Sequence, residues 1–143
     1  MDPRTLVTFQ SDAFNTSEPK DYFINECCFG DDLAIWMISE LQHRQCETDA
    51  APRQEDFGWY FNFKVSGIRH SFLISYRADT DESGTWIGWV ERNIFLFRRS
   101  GILPEATQAI HEALSNAPQI KNIRWHFQDD FDALLEELGT ERP

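Results

Sequence analysis

The sequence is short of positive charge. It holds 13 lysines and arginines against 24 aspartates and glutamates, a formal charge of -11. Affinity for DNA or RNA rests largely on cationic side chains that meet phosphates, and anionic lipid surfaces recruit the same side chains. Neither nucleic acid nor a membrane surface is an expected partner. Cysteine is scarce as well: Cys27, Cys28 and Cys46 are the whole set. An odd count with two adjacent members suits neither a secreted disulfide framework nor the C-x-x-C spacing of redox and zinc sites. The expectation is a reducing, cytoplasmic setting. Long apolar runs are missing too. Nothing reaches the roughly 18 residues a membrane span needs, and Met1 to Gln10 carries no apolar core of a secretory leader.

Familiar chemical signatures are also absent. There is no P-loop, no G-x-G-x-x-G and no G-x-S-x-G. His111-Glu112 opens like a zincin motif, but no second histidine follows four residues later. No cofactor and no metal are expected.

What the chain does have is aromatic residues, 14 % of 143, within a hydrophobic share of 41 %. Such a chain can bury a sizeable core without crosslinks and is unlike a disordered one. One domain covering residues 1–143 is expected. Its acidity keeps it dispersed in water, and it also favours encounter with a basic or mixed-charge protein partner. The oligomeric state stays open.

The patterning predicts an α+β fold. Thr5 to Phe9 reads as a strand, and polar Ser11 to Lys20 as a loop. Leu33, Trp36, Met37 and Leu41 recur at helical spacing after Gly30, widened by Ala34, Ile35 and Ile38, with Asp31 or Asp32 placed to cap. Glu47 to Glu55, with Pro52, reads as a polar connector. The centre is clearest. Phe57, Trp59, Phe61, Phe63 and Val65 alternate with smaller or polar residues. Ser66-Gly67 turns, and Ile68, His70, Phe72, Ile74 and Tyr76 alternate again. Two period-two runs around a glycine turn form an antiparallel hairpin. Thr85 to Val90 is a third strand of it, which Asn93 to Arg99 prolongs or follows with a fourth. Pro104 opens a second helix with Ala106, Ala109, Ile110, Ala113 and Leu114 inward. Ile120 to Phe127 is another strand. Asp129 or Asp130 then caps a last helix with Phe131, Leu134, Leu135 and Leu138 facing inward, closed by Gly139. The expected order is β-α-β-β-β-α-β-α: a mostly antiparallel sheet of about four to five strands with two to three helices packed on it.

Each candidate site has a structural alternative. Asp79-Thr80-Asp81-Glu82-Ser83-Gly84 begins like a calcium loop, with ligand positions one, three and five before the glycine. Position twelve is Val90, however, with Glu91 one residue late, and the flanks are strands. A solvated hairpin loop is the expectation. Cys28, beside Cys27 at a helix start, would be a nucleophile only with a basic partner, and is otherwise a small core residue. His70 shares its strand face with Ile68, Phe72, Ile74 and Tyr76. It is a general base if a cleft opens there and a hydrogen-bonded core residue if not. His126 near Asp129, Asp130 and Asp132 offers metal ligands, though capping also accounts for the acids. Trp59, Trp86, Trp89 and Trp125 all fall on strands, as core or as an open stacking surface. Arg92, Arg98 and Arg99 are the one basic cluster along the chain, suited to a phosphate or an acidic partner, or equally to balancing the surrounding acids.

Two stretches, Cys28-Phe29-Gly30-Asp31-Asp32-Leu33-Ala34-Ile35-Trp36 and Glu55-Asp56-Phe57-Gly58-Trp59, resemble a group of small uncharacterised bacterial proteins. These share an FG-x-DLA-x-W helix start and an EDFGW or EDWGW strand start. The matching segments cover roughly a third of the chain. The resemblance implies a bacterial cytoplasmic protein and no particular activity.

Two functions follow from this reading. The first is a protein-interaction module, an adaptor, inhibitor or immunity-like protein, binding through Glu55, Asp56, Trp59 and Trp89. The second is a small enzyme or ligand-binding domain with a cleft between the helices and the sheet around His70, lined also by Glu55, Asp56 and Cys28.

Overall fold

The structure is a computed structural model and describes residues 4–18, 20–23, 28–78, 84–92 and 101–143. Its frame is the expected hairpin. Strands β4 (Gly58–Val65) and β5 (Ile68–Arg77) pair antiparallel from Val65↔Ile68 to Trp59↔Ile74. Ser66 and Gly67 both take positive φ, 52° and 74°. That geometry makes the two-residue turn whose twist matches the strands it joins.

Five more strands complete an antiparallel sheet: β1 (Leu6–Gln10), β2 (Glu47–Thr48), β3 (Arg53–Glu55), β6 (Thr85–Glu91) and β7 (Lys121–His126). The order is β2-β4-β5-β6-β1-β7, with β3 also on β4. The sheet thus has seven strands rather than four or five. The connector read as polar loop supplies β2 and β3, which share the outer edge of β4. Strands of two and three residues are too short to show a period. The N-terminal strand lies inside the sheet, between β6 and β7.

Helices α1 (Asp31–His43) and α2 (Pro104–Ser115) cover one face. Alternation decides what they cover. Val7, Phe9, Trp59, Phe61, Phe63, Phe72, Ile74, Trp86, Val90 and Trp125 enter one core with Leu33, Met37, Leu41, Ile110 and Leu114 of the helices. Ile35 is an exception to the expected helix face, at 55 % exposed. The caps differ too. Gly30 takes the N-cap position of α1 at φ 129°, and no side chain caps there. Asp31 instead accepts the Tyr22 hydroxyl, a bond that pushes the phenol pKa up to about 12. Asp32 accepts the Asn15 amide at 2.8 Å.

The other sheet face carries Tyr60, Leu73, Phe57 and Trp89 as a small apolar cluster. Beside it lie a buried Ser71–Asn62 bond of 2.6 Å and a buried Thr8–His126 contact of 2.9 Å.

The C-terminal segment departs most from expectation. A helix over residues 128–138 with inward leucines does not form. Helix α3 stops at Asp132 (Gln128–Asp132), its N-cap is Phe127 with no side-chain cap, and one 3-10 turn follows at Glu136–Leu138. Neither piece buries a residue. Gly139 is extended, at φ -63° and ψ 150°, so it does not close a helix. The charge pattern opposes a longer helix: Asp129 and Asp130 suit its first turn, but Glu136 and Glu137 would fall in its last turn, where the dipole favours cations and none is present.

Candidate functional site

The structure separates the residues that the sequence grouped. Trp59 points into the helix-covered core at 5 % exposure and donates its indole N–H to the Cys28 carbonyl at 2.9 Å. Trp89 lies on the opposite face, half-buried, with its ring 5.9 Å from that of Phe57. Glu55 and Asp56 are exposed at the β3–β4 turn. Cys28 is half-buried there, and its thiol faces the Asp56 carbonyl oxygen at 3.6 Å. So Cys28, Asp56 and Trp59 meet, whereas Trp89 does not join them. Trp86 and Trp125 are core residues as well. The loop Asp79–Ser83, Cys27, Arg98 and Arg99 lie outside the described residues. Arg92 donates to the Arg69 carbonyl.

His70 is fully buried, opposite Phe63, four positions along the hairpin from the Trp59–Ile74 pair. Nδ1 sits 3.1 Å from the Ile68 carbonyl oxygen, and Nε2 lies 3.1 Å from the Leu103 backbone nitrogen. Since Leu103 N–H can only donate, Nε2 accepts and Nδ1 carries the proton. The ring therefore ties the start of α2 to the sheet. Two pockets formed by described residues lie elsewhere, and His70 lines neither.

Burial lowers the His70 pKa, opposed by the Ile68 carbonyl, lowered further by Arg92 and raised by Glu105. Burial also lowers that of His126. The unfolded chain then binds these protons first. Stability is fully present above the unfolded value of about 6.5 and is lost as pH falls from there through the lower folded values. Urea midpoints at pH 7.5 and 5.5 should show this loss, with a slope of at most about 1.4 kcal/mol per pH unit for each histidine. His70→Gln should be less stable at pH 7.5 and show a shallower pH dependence. Equal dependence in variant and wild type would contradict the neutral-ring tie.

The feature that sequence reading missed is the segment after β7. It runs as a strap over the sheet face opposite the helices. Phe131 stacks edge-on to His126 at 5.7 Å, and Glu136 pairs with Arg77. Thr140 and Trp125 exchange two backbone bonds, 2.6 and 2.8 Å, which close the outer edge of β7. Between these tethers, Leu134 is 83 %, Leu135 39 % and Leu138 51 % exposed. The five acids Asp129, Asp130, Asp132, Glu136 and Glu137 flank them in the chain.

Leu134 sits at φ 64°. Its N–H bonds to the Phe131 carbonyl at 3.0 Å, and the Leu135 N–H reaches the Asp130 carbonyl at 2.9 Å. This pair of bonds is the Schellman helix end, whose left-handed position glycine normally fills. Here a leucine fills it and is thrown into solvent.

Comparison with family models, with curated proteins and with solved structures finds no match. Among the described residues no helix is long and apolar enough to cross a membrane.

Proposed function

We propose that the protein is a protein-interaction module that docks through this strap. The partner would present lysine or arginine around an apolar centre. Leu134 carries the reading. A large apolar side chain in a strained, left-handed position gains the strap no burial, so folding alone gives no reason for it. Backbone strain of this kind concentrates at functional positions. The apolar centre with a charged surround matches how interfaces are built, with buried anchors inside a polar rim. The acids of the strap, Glu136 apart because Arg77 pairs it, and a net charge of -11 select a cationic surface and oppose pairing with a second copy of the chain. The cysteines and the resemblance support a bacterial cytoplasmic setting. An enzymatic cleft at His70 finds no support in a ring whose two nitrogens are both engaged.

A photocrosslinking residue at position 138 tests this in the host cell. A discrete adduct with a second protein is expected, and Asp132→Lys with Glu137→Lys should remove it. The same adduct from position 108, on the exposed side of α2, would contradict the proposal. So would an adduct consisting only of two copies of this chain.

A further inference from the structure

Three arginines far apart in sequence meet around one surface pocket of about 580 Å³. Arg4 precedes β1, Arg124 lies on β7 and Arg142 follows the Thr140 bridge. Gly139, Thr140 and Glu141 complete the lining. Among the described residues the ion pairs are Arg44–Glu40, Lys64–Glu47 and Arg77–Glu136, and none involves these three. The Arg4 guanidinium stacks 4.2 Å from the Phe127 ring centroid, and its Nε is buried without a hydrogen-bond partner. Among the described residues Arg124 donates to the neighbouring Ile123 carbonyl, at 2.8 Å.

Three arginines less Glu141 give the lining residues a net charge of +2, in a chain that is otherwise strongly negative. Like charges gathered this closely repel, and the nearest remedy is a bound anion. The buried Arg4 Nε, a donor on the lining itself, points the same way. Next to the lining lies a buried histidine. His126 is 2 % exposed, and its Nδ1 has no partner. It lies directly behind Gly139, where an added Cβ would stand 2.8 Å from Nδ1.

We propose that this pocket binds the phosphoryl group of a small phosphomonoester. A phosphoryl group carries about -1.5 to -2 at neutral pH, which matches the lining. The arginine fork fits its oxygens two at a time. The pocket is larger than one phosphate, so the rest of a small molecule fits beside it. The site is independent of the strap's leucines and of any docking partner.

Titration at pH 7.5, followed by amide NMR, tests it with inorganic phosphate, phenyl phosphate, succinate and sodium chloride at matched ionic strength. Saturable shifts at Gly139, Thr140 and Glu141 are expected with both phosphates, several-fold tighter for phenyl phosphate. Arg124→Gln and Arg142→Gln should each weaken binding about tenfold, as loss of a charge-assisted bond does. Both side chains are exposed, so these variants should keep the wild-type spectrum elsewhere. Arg44→Gln should change nothing. Shifts that chloride reproduces, or that survive Arg124→Gln, would overturn the site. Tighter binding of succinate would overturn its phosphoryl assignment, and phosphate binding as tightly as phenyl phosphate would overturn the phosphomonoester.

Discussion

Alanine at position 58 should remove much of the protein's stability. Gly58 opens β4 at φ 144°, a conformation that L side chains rarely adopt. An added Cβ would stand 2.0 Å from the Ile74 carbonyl oxygen and 3.1 Å from its carbon. Those are backbone atoms in the middle of β5, so no rotamer change relieves the clash. Ile74 cannot retreat either, because it is fully buried and its side chain already lies 3.0 Å from the Cβ direction of Gly30. Backbone strain of about 1–3 kcal/mol and overpacking of about 1–3 kcal/mol together rival much of a total stability of roughly 5–15 kcal/mol. Insoluble expression, or a urea midpoint less than half of wild type, is the expected result. Gly67→Asn is the control. Its φ of 74° suits asparagine, and nothing lies within 4 Å of the added Cβ. It should leave the midpoint almost unchanged.

The hairpin was legible because both its strands bury one face against a helix layer, so the period of two holds from Trp59 to Val65 and from Ile68 to Tyr76; Phe57, expected on that face, precedes β4 and packs on the other. The two helices were legible from their apolar stripes and from Pro104. The edge strands β2 and β3 were not, since residues such as Glu47 and Arg53 pair by backbone alone. The last helix misled because Phe131, Leu134, Leu135 and Leu138 have helical spacing. Spacing says nothing of whether a surface is available, and the tethers to His126, Arg77 and Trp125 hold that segment with the leucines outward. A leucine in a glycine position leaves no mark in the pattern. The arginine pocket was equally hidden, because Arg4 and Arg142 are brought together only by the strand order. His70 was correctly placed on the inner face, but its choice between base and tie turned on Leu103, whose amide the sequence could not place beside it.

Leu134→Gly should make the protein more stable and worse at its task. Leucine at φ 64° costs roughly 1–2 kcal/mol relative to the right-handed region. Glycine removes that strain but adds freedom to the unfolded chain, about 0.4–1 kcal/mol. The side chain is 83 % exposed, so little burial is lost with it. The net gain should be about 0.5–1 kcal/mol, a rise of roughly 2–4 °C in Tm. A residue kept for folding would behave in the opposite way. The pairing of higher stability with weaker binding is the mark of strain retained for function.

Quantitative capture from host lysate, with wild type and Leu134→Gly immobilised side by side and the melting temperature of each recorded, tests the docking surface most directly. The expected result is a protein enriched on wild type, released by salt, and reduced at least tenfold on a variant that melts higher. Equal enrichment on both, with the variant folded, would contradict the strap as the binding surface.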